Sequence, residues 1–148
     1  MFDYDVIYEA VFAEAATINI TNENPDLGSI TGGGTFAIGT TVRLTATPNI
    51  SCEFLGWYED NILLSKDLNL DLLVTNDVYL SVKFAKKIYS VTTSINDDQM
   101  GTVSGAGSYV YGEQVDLIAI PKSGYSFFGW YNGDNLSSQD SPFSFGRL

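Results

Sequence analysis

At 148 residues, with seven basic against eighteen acidic side chains and a net charge of −11, the chain lacks the cationic surface that a nucleic-acid backbone or an anionic bilayer requires. Its 45% hydrophobic and 14% aromatic content excludes a disordered chain, and no apolar run is long enough for membrane insertion. Histidine is absent and Cys52 stands alone, so no internal disulfide can form and nucleophilic catalysis lacks its usual base.

In chain order, the first patterned stretch is DVIYEAVFAE at residues 5–14, which reads as a strand with Val6, Tyr8, Ala10 and Phe12 on one face. NENPDLG at 22–28 is turn chemistry. GSITGGG at 28–34 has neither the helix-opening context of a dinucleotide fingerprint nor the lysine of a phosphate loop, and reads as a tight glycine hairpin. Val42, Leu44 and Ala46 of TTVRLTATP point one way, and Thr41, Arg43 and Thr45 the other. DLNLDLLV at 67–74 and DVYLSVKF at 77–84 alternate in the same manner, and no capped helical stretch stands out.

Seventy-three residues on, the text repeats. Between Gly28–Tyr58 and Gly101–Tyr131 about twelve of thirty-one positions are identical without a gap, the mark of a tandem duplication. Among them are Gly39/Gly112, Val42/Val115, Leu44/Leu117, Pro48/Pro121, Phe54/Phe127 and Trp57/Trp130. Residues 5–14 align in turn with DVYLSVKFAK at 77–86, through Asp5/Asp77, Val6/Val78, Phe12/Phe84 and Ala13/Ala85. The expected organisation is therefore residues 1–15 as the last strand of a preceding copy, 16–86 as a complete copy, and 87–148 as a second copy ending before its own final strand. Each copy is an all-β module of about five short strands. One strand is surplus at the front and one is wanting at the back, so a strand-exchanged homo-oligomer is expected to cover the exposed sheet edge. Ile118 and Ile120, where the first copy has Thr45 and Thr47, make the corresponding strand apolar on both faces and point to something packed on its outer side. No leader or lipidation motif is visible, so an exported protein would extend beyond this chain.

GSYVYGEQVDLIAIPKSGYSFFGWY, at residues 107–131, resembles the divergent internalin B-repeat of bacterial surface proteins. Gly105, Gly107, Tyr109, Gly112, Val115, Leu117, Ala119, Pro121, Gly124, Tyr125, Phe127, Gly129 and Trp130 carry the likeness, and the first copy departs from it only at Ser51 and Cys52. The resemblance covers nearly the whole chain. It implies a β-grasp-like or related β module, standing in series at the cell surface or in the cell wall as the stalk of an adhesin, with neighbouring repeats of the same protein as partners. It implies no catalysis and no cofactor.

Sharper readings fare less well. DLNLD at 67–71 has calcium-loop spacing for three ligands, but Leu72 and Val78 stand where the loop needs glycine and glutamate, so a solvated strand face is expected and no metal site is assigned. Cys52 is matched by Tyr125 and reads as filler rather than a nucleophile. No catalytic residue is assigned. Trp57 and Trp130 read as core anchors, and Gly39, Gly112, Pro48 and Pro121 as structural punctuation. Tyr109, Tyr111, Tyr125 and Tyr131 serve either core or module-junction packing or, if exposed, stacking on a glycan or a host protein.

Overall fold

A computed structural model describes residues 4–146, and these contain strands, turns and loops but no helix. The chain divides into two units, Met1–Ala85 and Lys86–Leu148.

The first unit holds β1 (Ala15–Asn22), β2 (Gly28–Thr31), β3 (Gly34–Ala37), β4 (Thr41–Pro48), β5 (Cys52–Glu59), β6 (Ile62–Ser65), β7 (Asn69–Leu73) and β8 (Val78–Lys86). That is more than the five or so strands expected, because the glycine-rich stretch yields two strands and the β5–β6 turn a further one. They form two sheets, ordered β3-β1-β8-β5-β6 and β2-β4-β7. Alternation decides which side chains enter the space between them. Ala16 and Ile18 of β1, Val42, Leu44 and Ala46 of β4, Trp57 of β5, Val74, and Leu80, Val82 and Phe84 of β8 make one buried cluster. The polar partners of the β4 pattern face outward, where register pairs Arg43 with Asp71 and Thr45 with Asn69, and both pairs are hydrogen-bonded through their side chains.

GSITGGG is not the hairpin the sequence suggests. β2 pairs with β4 and β3 with β1, so the glycines carry the chain from one sheet to the other. Gly32 has φ +111°, and a Cβ there would lie 2.6 Å from the Arg43 carbonyl oxygen. Glycine is needed for the corner, and not for a turn between paired strands. The true hairpin joins β5 and β6 through Asp60 and Asn61, with φ +49° and +64°, the pair of positive angles that a two-residue primed turn requires.

β1 and β8, the first and last strands of the unit, are neighbours and run parallel, from Ile18 opposite Val78 to Asn22 opposite Val82. Side chains extend that ladder at both ends. The Thr17 N–H donates to Asp77 Oδ1 at 2.8 Å, and Asn24 Oδ1 accepts from the Phe84 N–H at 3.0 Å.

The second unit repeats the plan with β9 (Ile88–Val91), β10 (Gly101–Ser104), β11 (Gly107–Val110), β12 (Gln114–Pro121), β13 (Trp130–Asn132), β14 (Asn135–Ser138) and β15 (Phe143–Gly146). Register is kept: Leu44 opposite Leu70 becomes Leu117 opposite Phe143, and β3 on β1 becomes β11 on β9. The counterpart of β8 is not among the described residues. Its flanking strands contract as a result. Residues 92–95, which match the part of β1 paired to β8, form no strand, and residues 125–129, which match the first part of β5, form none either. A strand without a partner has no ladder to hold its backbone extended.

Residues 5–14, expected as a strand, form none here. On the face expected to be apolar, Tyr8 and Phe12 are 82% and 91% exposed and Val6 37%. Ile118 and Ile120, expected to be covered, are 39% and 61% exposed.

Candidate functional site

The feature that separates the two units is a groove in the second, about 980 Å³ in volume. One wall is residues 91–95, continuing from β9, and the other is residues 126–131, leading into β13. Leu117, Phe143 and Phe145 from the β12–β15 pair lie beneath them. In the first unit β8 runs between the matching walls and delivers Leu80, Val82 and Phe84 into the core. Among the described residues of the second unit only Val115 and Leu117 are buried hydrophobics, although the sequence supplies the same β4-like pattern.

The tryptophans report the same difference. Trp57 is fully buried and its Nε1–H donates to the Asp67 carbonyl at 2.9 Å. Trp130 keeps the edge-on contact with Phe127, 5.5 Å between ring centres, as Trp57 does with Phe54 at 5.6 Å. It is only half-buried, and its Nε1 is shielded from solvent with no hydrogen-bond partner. In the first unit the aromatic contacts run on from Phe54 to Phe84, 5.5 Å apart, with the Phe84 ring lying over Gly28. Gly28 has no side chain because that ring takes its place. Gly101 keeps the glycine at the matching position.

The four candidate tyrosines are placed differently from one another. The Tyr109 hydroxyl donates to the Gly105 carbonyl at 2.6 Å and the residue is partly buried, while Tyr111 sits 6.2 Å from the ring of Tyr89. Tyr89 is itself the cross-strand partner of Tyr109. Sequence reasoning missed Tyr89, whose signal was its place in the strand matching β1. Tyr125 and Tyr131 are 47% and 55% exposed, and Tyr131 belongs to the groove wall. Gly39 and Gly112 hold φ +93° and +92°, and Pro48 and Pro121 end β4 and β12 opposite Gly28 and Gly101.

Asp97 is the one charged side chain among the described residues lining the groove. The Arg43 guanidinium holds the Asp71 carboxyl below its ordinary range by hydrogen bonding, and Asp116 is lowered by bonds from Ser144 and Gln114. Asp71, the last carboxylate of DLNLD, is thus an ion-pair partner on a wet strand face. Cys52 opens β5 as a buried free thiol. Chemically the groove offers apolar side chains and backbone groups along two walls, which is what an extended peptide strand would use.

The family described as divergent InlB B-repeat domain matches the chain twice, over residues 17–88 and again over 91–146. No curated protein and no solved structure matches it.

Proposed function

The chain belongs to the divergent InlB B-repeat family, in two tandem copies, and from that premise we propose that it is a tension-bearing spacer in the stalk of a bacterial surface protein. One observation carries the reading. The strands at the two ends of the complete unit, β1 and β8, are adjacent and parallel. A load entering at Ala15 and leaving at Lys86 draws them in opposite directions along a shared ladder. Its hydrogen bonds are then stressed together instead of opening one after another. Units joined end to end this way transmit force while each remains folded, and length grows with copy number. A catalytic role has little to draw on, since histidine is absent and the one thiol is packed in the core.

The exposed rings of Tyr125 and Tyr131 favour one other reading, a module that stacks on glycans or on a host protein. A glycan array and a panel of extracellular host proteins separate the two. The spacer predicts no selective binding by the chain. Selective binding that is abolished by Tyr125→Ala with Tyr131→Ala would replace the spacer with the binder.

A further inference from the structure

We propose that the groove of the second unit is a strand acceptor, and that its occupant is residues 5–14 of a second copy of the same chain. The donor is identified by alignment with a strand already seen in place. DVIYEAVFAE matches β8 and the residue before it, DVYLSVKFAK, at Asp5/Asp77, Val6/Val78, Phe12/Phe84 and Ala13/Ala85. β8 lies in the first unit where the groove lies in the second. Transferring the β1–β8 register sets Val6 opposite Val91 and Ala10 opposite Ile95, parallel to β9. Tyr8, Ala10 and Phe12 then point inward where Leu80, Val82 and Phe84 do. Phe12 arrives over Gly101 and against Phe127, completing the aromatic row that Phe84 completes over Gly28. The Asp5 carboxylate falls where Asp77 accepts the Thr17 N–H, and Asp97 stands where Asn24 accepts the Phe84 N–H.

Connectivity selects a second copy. In the first unit β8 passes into β9 across the single residue Lys87, and residues 5–14 pass into β1 with no residue between. A donor seated in the groove therefore leads from one molecule's second unit into the next molecule's first unit, much as the first unit leads into the second within a chain. The contact is head-to-tail, which extends from copy to copy instead of closing as a symmetric dimer. It restores between molecules the same parallel ladder that spans the first unit. The exchange stands whether or not the chain is a spacer, because it rests on two segments of this sequence and one groove.

The test uses the full chain and Phe12→Asp, a change in an exposed segment that forms no strand and adds nothing to the buried core of the first unit. Light scattering over a hundredfold dilution series is expected to give at least twice the single-chain mass at the concentrated end, falling on dilution, with Phe12→Asp at single-chain mass throughout. Phe12→Asp keeps its groove, so when added to the unaltered chain it should cap the growing ends and lower the average mass. Hydrogen exchange of residues 92–95 and 126–130 should slow at least about tenfold in the assembled chain and not in Phe12→Asp. A single-chain mass at every concentration overturns the proposal. So does assembly that Phe12→Asp leaves unchanged, or assembly without protection of those amides, which would direct attention to the exposed Ile118 and Ile120 face.

Discussion

Trp57 and Trp130 occupy the same place in a repeated text yet stand in different surroundings. Trp57 has a closed core and a carbonyl for its indole N–H, while Trp130 has one aromatic neighbour in place and an unpartnered Nε1. Trp57→Ala should cost the first unit about 3–5 kcal/mol in denaturant unfolding, and Trp130→Ala distinctly less in the unassembled chain, since less is packed around it to lose. Equal costs would mean that the second unit is as well closed as the first. A smaller effect belongs to Asp71. Its folded-state pKa is depressed by the hydrogen bond from Arg43, so the stability it adds is present above the unfolded value near ~3.9 and disappears as pH falls through the folded one. Asp71→Asn should be slightly less stable than the unaltered chain at neutral pH and indistinguishable from it in acid below that range, by thermal melts at both pH values. The burial of Trp57 was legible from its position at the end of an apolar pattern. The half-burial of Trp130 was not, because what differs there is the neighbouring strand, which in the first unit is β8, and not the residue itself.

Among the elements, the strand alternations were legible because period two is a property of the strand alone. Val42, Leu44 and Ala46 face the core, and Arg43 and Thr45 face Asp71 and Asn69 across the wet side, as the pattern required. Pairing was harder. The glycines of GSITGGG announce positive φ, and that is common to a hairpin and to a corner between sheets, so nothing local tells which partner the next strand takes. Gly32 and Gly39 separate the two consequences. Both have positive φ, but a Cβ at Gly39 meets nothing within 4 Å, whereas one at Gly32 collides with the Arg43 carbonyl. Gly39→Ala should therefore cost only the left-handed backbone term, about 1–2 kcal/mol. Gly32→Ala should cost more, because the sheet-to-sheet corner itself must shift. Thermal unfolding of the two variants would decide it, and equal losses would remove the steric argument for the corner. Residues 5–14 show the complementary limit. Their pattern states that they can be a strand, and only a partner can make them one.

For the molecule as a whole, the duplication was the most legible feature, because register-preserving identity over a long ungapped stretch survives even where side chains drift. The groove was less so. Its walls, residues 91–95 and 126–131, were not legible, because the shortening of β9 and β13 relative to β1 and β5 depends on a β8-like partner that is not among the described residues of the second unit. A charge of −11 makes copies of the chain repel one another, so the proposed exchange depends on strand complementarity to bring them together. The spacer reading rests on the parallel pairing of β1 with β8, and it is most directly tested by pulling the first unit from residues 15 and 86 in a single-molecule force experiment. A ladder stressed in shear predicts one abrupt rupture at a well-defined force, releasing roughly 250 Å of chain at about 3.5 Å per residue. Gradual lengthening at low force, with β1 peeling from β8 before the rest gives way, would contradict it.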